Sequence, residues 1–117
     1  MLANGGELDG VRLLSEDRVR LFNIPRPPCD YDPVHGLPHK GTLGGFHLPG
    51  SPGMGPVGSN PHVFGHNAAG GSVGWADPDI RLGGTITHNR MVPHGPPEES
   101  PLTPIGRAVR EVLGLPV

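Results

Sequence analysis

The chain has 117 residues, which is enough for one small domain but not for two. Its formal net charge of -2 and its single lysine leave no basic patch for nucleic acid. The sequence has no apolar run near the roughly 20 residues that a membrane-spanning helix needs. No signal peptide is visible, which by default predicts a cytoplasmic location. The single cysteine excludes an intramolecular disulfide.

The content of glycine and proline is unusually high. With 20 glycines and 16 prolines, the two types make up about 31% of the chain, near the level typical of low-complexity sequence. Leucine, isoleucine, valine and phenylalanine still make up about a quarter, which is above the disordered range. We therefore predict a folded chain with long connections. A disordered Pro/Gly-rich linker stays open as an alternative on composition alone.

The first 24 residues carry signals for two short elements. Asn4–Gly6 provides left-handed positions that end a helix before a turn. After a short apolar segment at Val11–Leu14, Ser15 is a good N-cap, and acidic residues follow it in the first turn of the helix. Val19 and Phe22 are spaced to share one face of this helix.

The middle of the chain is predicted to be mostly loop. Residues 25–62 and 92–101 are the loop-rich stretches. Within the first of them, residues 25–41 predict a surface loop and residues 49–62 predict a loop. Thr42–Leu48 is interpreted as a strand weakened by two glycines.

Three segments predict an antiparallel sheet. Val63–Asn67 and Ser72–Asp77 have strand character, and a turn at Asp77–Asp79 leads to a return strand at Arg81–His88.

The last element is predicted to be a helix that begins near Thr103 and Pro104. Ile105, Val109 and Val112 line one face of it, which we expect to pack on the sheet. The predicted fold class is therefore α+β, a partial antiparallel sheet with a packed C-terminal helix.

Two glycine motifs match known signatures but lack the context that those signatures need. Gly53–Gly58 fits G-x-G-x-x-G, yet its prolines forbid the helix that a dinucleotide site requires. Gly70–Gly74 fits G-x-S-x-G, but an apolar run and a hairpin turn follow Ser72 where a nucleophile elbow needs a helix. Neither motif predicts a site.

The spacing of the histidines raises the question of a metal-binding site. His35 and His39 are four residues apart, as are His62 and His66, but glycine and proline break both helices that would place each pair on one face. No cysteine or acidic residue completes either pair at zinc-finger spacing. We therefore predict no metal site from spacing.

Three stretches, in order, carry a family resemblance: Leu2–Arg20 (LANGGELDGVRLLSEDRVR), Phe64–Asp77 (FGHNAAGGSVGWAD) and Leu82–Met91 (LGGTITHNRM). They resemble the C-terminal part of class C-type serine β-lactamases and their penicillin-binding-protein-like esterase relatives. The resemblance implies that residues 1–117 are an incomplete domain of the β-lactamase/transpeptidase-like fold.

The resemblance also implies roles for residues of one strand. The family uses Ser-x-x-Lys, Tyr-x-Asn, and Lys-Thr-Gly or His-x-Gly on a strand that contacts the substrate. The third motif falls on His66, Asn67 and Ala68, where Ala68 departs from the usual glycine and its methyl group crowds the substrate. These three are the implied substrate-binding residues. The resemblance implies an ester or lactam substrate, an acyl-serine intermediate and no cofactor.

The other two family motifs are absent from the sequence. No serine is followed three residues later by lysine, and the only tyrosine, Tyr31, lacks the asparagine. In family order both motifs lie ahead of residue 1, so no catalytic residue is expected in this chain and it is predicted to be inactive and marginally stable alone. Two alternatives stay open: a non-enzymatic partner that complements a separately encoded N-terminal half, and a degenerate remnant.

Overall fold

The computed structural model describes residues 1–92 and 95–116. The helices are α1 (Glu16–Phe22) and α2 (Thr103–Val112), with short 3-10 helices at Leu2–Asn4, Gly55–Val57 and Pro97–Glu99. The strands are β1 (Glu7–Leu8), β2 (Val11–Arg12), β3 (Cys29–Asp32), β4 (Leu37–His39), β5 (Phe64–Asn67), β6 (Val73–Asp77) and β7 (Leu82–Ile86). No described helix is long and apolar enough to span a bilayer. The predicted linker 92–101 includes residues 93 and 94, which lie outside the described part.

The central sheet is antiparallel with the order β5-β6-β7, as predicted from the three strand segments. Val73 pairs with Asn67 on one side and with Ile86 on the other. The turn after β6 is held by the buried Asp77 carboxylate, which accepts hydrogen bonds from the Asn60 side chain and from the Asp79 main chain. The α+β architecture is confirmed.

Both faces of the sheet carry apolar side chains, because successive residues of a strand point to opposite faces. Val73 belongs to one buried cluster, with Met54, Val57, Val63 and Leu102. Ala76 belongs to the other, with Ala3, Val19 and Phe64. The sheet is therefore sandwiched between the N-terminal elements and the segment around the second 3-10 helix.

The N-terminal predictions are confirmed. The first 3-10 helix ends at Gly5, whose φ of 63° is left-handed. Helix α1 begins after Ser15, whose hydroxyl accepts a hydrogen bond from the Arg18 main chain at 3.2 Å. Val19 is buried, so α1 packs on the second cluster through the predicted face.

The surface loop predicted for residues 25–41 is wrong in part, because β3 and β4 form an antiparallel hairpin there. Its turn is built by Asp32, whose Oδ1 accepts hydrogen bonds from the Val34 and His35 main chains. Such side-chain turns replace local backbone pairing and need no glycine-asparagine signal.

The continuous strand predicted for Thr42–Leu48 is also wrong. Thr42 begins a tight turn in which its carbonyl accepts from the Gly45 main chain at 3.0 Å. Gly44 lies so close to Phe22 that an added Cβ would be 2.8 Å from the Phe22 Cβ. The two glycines therefore reverse the chain instead of weakening a strand, and His47 emerges on the far side of the turn.

The segment 49–62 is irregular, as predicted, but much of it is not at the surface. Met54 and Val57 are fully buried and form the centre of the first cluster. The prolines and glycines of this segment therefore shape a core connection, which composition alone could not distinguish from a loop.

Helix α2 is confirmed, but the buried face is not the predicted one. Ile105 and Val109 are exposed, and Val112 is 87% exposed. Gly106 and Arg110 are the residues that α2 buries. The reason is close packing, since a Cβ on Gly106 would lie 2.1 Å from the Pro56 carbonyl oxygen.

Candidate functional site

The substrate-binding residues predicted from the sequence lie at the end of β5 and the start of the hairpin that follows. His66 is exposed and Asn67 is buried. Ala68 begins the turn, where its main chain donates a hydrogen bond to the Ser72 carbonyl at 2.7 Å. The three residues are thus consecutive on one hairpin, where His66 and Ala68 are exposed and Asn67 between them is buried.

An open apolar recess adjoins His66. It has a volume of about 430 Å³ and is lined in part by Phe46, Phe64 and Trp75. Gly74 and Gly83 lie on its floor, where the lack of side chains leaves the space open. A mostly apolar concavity with a polar group at its rim is the usual composition of a small-molecule site.

The outer edge of β5 is partly covered by the segment that carries His47. His47 and Gly65 exchange two main-chain hydrogen bonds, with N···O distances of 2.7 and 3.0 Å. This pairing sets the His47 ring beside the His66 ring, with centroids 4.5 Å apart.

His47 in turn meets both histidines of the β3–β4 hairpin. Its ring lies 4.5 Å from that of His39 and 5.7 Å from that of His35, measured between centroids. His35 and His39 are themselves stacked at 5.6 Å. One ring nitrogen from each of the three lies within 4.8 Å of the others. We call His35, His39 and His47 the histidine cluster.

Two members of the cluster, His39 and His47, have lowered pKa values. Burial lowers the pKa of His47 to about 4, and the neighbouring His66 and His39 add to the shift, while a hydrogen bond with Asn67 opposes it. Burial also lowers the pKa of His39, against the attraction of Asp32. Removing a charged imidazolium from water is costly, which is why burial dominates both shifts.

The sequence reasoning missed this cluster because the three histidines come from separate elements. The four-residue spacing of His35 and His39 is that of a helical pair, whereas a hairpin brings them together. His47 joins them because its main chain pairs with that of Gly65. No pattern in the neighbouring sequence predicts this pairing. The available signal was the high histidine content, seven residues in the chain.

His62 and His66, the second pair at four-residue spacing, do not come together. His62 pairs with Asp79, with 2.9 Å between Nδ1 and Oδ2. This contact lowers the pKa of Asp79, and the hydrogen bond from Asn60 does so too. His66 lies instead beside His47, so the four-residue spacing of His62 and His66 has no structural meaning.

Ser72 lies in a hairpin and not at a nucleophile elbow. Its carbonyl accepts the hydrogen bond from Ala68, and β6 follows directly. A nucleophile elbow requires a helix after the serine. The G-x-S-x-G match is therefore a turn.

Comparison with known proteins identifies the architecture. No protein-family model matches the sequence. The chain is 39% identical over 93 residues to the esterase/β-lactamase LipL of Mycobacterium tuberculosis. The aligned region is 78% of this chain and 20% of LipL. The fold matches the crystal structure of a family VIII carboxylesterase with a TM-score of 0.72 and 32% identity, over 92% of this chain and 28% of that one. The chain corresponds to a C-terminal part of a β-lactamase-like domain.

The resemblance seen in the sequence is thus confirmed at the level of family and fold. The chain spans less than a third of the relatives it matches, 20% and 28% of their lengths.

Proposed function

We propose that this chain forms one wall of the active-site cleft of a serine hydrolase that cleaves an ester or amide bond. The observation that carries the proposal is the position of His66, which is exposed on β5 at the rim of the apolar recess. An acyl group would lie in the recess, and His66 would donate a hydrogen bond to the substrate from the rim. The names of the esterase/β-lactamase and carboxylesterase relatives agree with this substrate class.

The neighbours of His66 have supporting roles in this proposal. Asn67 is buried and hydrogen-bonds His47, so it fixes the strand from behind the cleft wall. Ala68 lies where the chain turns away, and its methyl group limits how closely a substrate approaches the hairpin. The proposed substrates are small esters or lactams, and the proposed reaction uses no cofactor.

The covalent chemistry requires groups that this sequence does not contain. In the proposed reaction a serine oxygen attacks the acyl carbon, the alcohol or amine leaves with a proton, and water then releases the acid from the acyl-serine. The sequence has neither Ser-x-x-Lys nor Tyr-x-Asn. We therefore propose that the nucleophile and its proton-transfer partners come from another polypeptide segment, and that the chain is inactive alone.

Two measurements on the purified chain test this. An activated nitrophenyl ester should show no burst of nitrophenol, and a serine-reactive fluorophosphonate should label no residue. Ser72→Ala is the matched control because Ser72 is the residue of the misleading G-x-S-x-G match. A burst that Ser72→Ala abolishes would overturn the proposal, since it would place the nucleophile within the chain.

A second candidate function is that of a non-enzymatic partner that completes a separately encoded N-terminal half. The apolar recess beside Phe64 and Trp75 favours it, because an open apolar surface next to a sheet is a typical contact region. Mixing the chain with a segment that carries both missing motifs should give one complex on size exclusion and restore ester hydrolysis. Two separate peaks without activity would favour a degenerate remnant. Reading the upstream DNA for those motifs is the simplest first check.

A further inference from the structure

We propose that the histidine cluster is a binding site for one divalent transition-metal ion with the ligand preference of Zn²⁺. The cluster holds three imidazole nitrogens within 4.8 Å of one another. Imidazole suits Zn²⁺, Ni²⁺ and Cu²⁺, and three protein ligands with one open position is a common zinc arrangement. The cluster adjoins His66 through the His47 ring, but none of its three side chains has a role in the hydrolytic chemistry proposed above.

The geometry has to adjust before the cluster can hold an ion. Zn–N bonds of about 2.0–2.1 Å in a tetrahedral site keep ligand nitrogens about 3.3 Å apart. The widest pair in the cluster therefore has to close by at most about 1.5 Å. His35 and His39 lie on one hairpin, while His47 is anchored to the central sheet by its pairing with Gly65. Closing the site takes a shift of the hairpin towards the sheet. It also takes a rotation of one ring, because the His35 and His39 rings are stacked at an interplanar angle of 9° and do not point their lone pairs at a common position.

Unpartnered nitrogens are an observation independent of spacing. His47 Nδ1 and His39 Nε2 are buried and have no hydrogen-bond partner among the described residues. His47 is only 7% exposed. Burying a polar atom without a partner is costly, and coordination of an ion would satisfy both nitrogens at once.

The surrounding charge also bears on a cation. The Asp32 carboxylate acts on His35 and His39 and supplies negative charge beside the cluster. Arg26 acts on His39 in the opposite sense, so we expect moderate affinity.

The cluster has an entry path and a structural consequence. His39 lines a recess of about 240 Å³ together with Asp32 and Cys29, which is open to solvent. An ion there would link the β3–β4 hairpin to β5 through the pairing of His47 with Gly65. Binding that is specific to the folded chain would therefore raise its thermal stability.

The experiment is calorimetric titration of the metal-free 117-residue chain with Zn²⁺ near neutral pH, with Mg²⁺ as the comparison ion. We expect one Zn²⁺ per chain, no heat from Mg²⁺, and a higher melting temperature with Zn²⁺. His35→Asn and His39→Asn should each weaken Zn²⁺ binding at least about tenfold. Losing a residue that only hydrogen-bonds a metal ligand already costs about tenfold or more in metal affinity, and losing a ligand itself should cost no less. His62→Asn is the matched control, because His62 pairs with Asp79 and is not in the cluster.

Two variants on the hairpin are used because His47 is buried and His47→Asn could unfold the chain. Circular dichroism on each variant confirms that the helices are retained. Absence of Zn²⁺ binding by the folded wild-type chain would overturn the proposal. Equal Zn²⁺ affinity in the wild type, His35→Asn and His39→Asn would also overturn it. So would a loss of Zn²⁺ affinity in His62→Asn equal to the loss in the two hairpin variants. None of these outcomes depends on ester hydrolysis, so the proposed function can fail or hold separately.

Discussion

The Arg110 guanidinium donates a hydrogen bond from Nη1 to the main-chain carbonyl of Val57 at 2.8 Å, across 53 positions of sequence. Its Nε donates to the Pro116 carbonyl at 2.7 Å. Arg110 is buried, so a charged side chain, and not the predicted apolar face, fastens α2 to the core segment. Hydrogen bonds from charged groups are stronger than neutral ones, which explains why this burial is tolerated.

Arg110→Ala should therefore destabilise the chain by about 1–3 kcal/mol, because it leaves a buried carbonyl without a partner. The measurement is urea unfolding followed by circular dichroism. Arg107→Ala is the matched control on the same helix, since Arg107 makes only an exposed pair with Glu111. Arg107→Ala should lower the free energy of unfolding by less than about 0.5 kcal/mol. Equal losses in the two variants would show that the contact with Val57 contributes nothing.

Gly106→Ala should destabilise the chain even though alanine is the better helix former. Helix propensity alone would favour alanine by about 0.5–1 kcal/mol. The added Cβ would lie 2.1 Å from the Pro56 carbonyl oxygen, which is backbone and cannot easily move. We expect a net loss of about 1–3 kcal/mol from overpacking.

Gly83→Ala is the comparison, because no heavy atom lies within 4 Å of a Cβ built there. Gly83→Ala should change the free energy of unfolding by no more than about 0.5 kcal/mol in either direction. If Gly106→Ala proved stabilising in the same unfolding measurement, α2 would not approach the Pro56 segment as closely as described.

Protonation of His47 should make stability fall in mildly acidic solution. The folded pKa is about 4, below the ordinary value of 6.5. Between these values the unfolded chain binds more protons than the folded chain, so stability is full above pH 6.5 and decreases as pH falls through this window. The loss approaches about 3 kcal/mol for this group once the pH is below both values.

The measurement is an NMR titration of the histidine rings in the metal-free chain. His66→Gln should raise the pKa of His47, because it removes the second-largest cause of the shift, yet leave it below 6.5 because the effect of burial remains. A His47 ring that titrates at 6.5 in the wild-type chain would contradict the buried position of this side chain.

His66→Ala should lower kcat/KM about 10- to 100-fold in a hydrolase reconstituted with the missing segment. Loss of a hydrogen bond to a charged or developing-charge group costs about 1.5–3 kcal/mol, and each 1.4 kcal/mol is about tenfold. His62→Ala serves as the control, since His62 is engaged with Asp79. Unchanged kcat/KM in His66→Ala would remove His66 from the cleft wall while leaving the family assignment intact.

The sequence by itself determined the elements whose signals are local. Ser15 caps α1 because a hydroxyl before two acidic residues satisfies the first main-chain donors. The hairpin through Asp77 follows from a turn signal between two strand segments, and the ordered stretches were enough to indicate the β-lactamase-like family.

Only the tertiary structure decided which side chains meet. His47 reaches His35 and His39 through a pairing with β5, and a turn at Thr42, where a strand was expected, makes this possible. Gly106 and Arg110 are buried because α2 lies against a segment about 50 residues earlier, and the apolar periodicity of the helix pointed to the opposite face. Periodicity records which residues share a face but not what that face contacts, so the helix packing and the histidine cluster followed only from the fold.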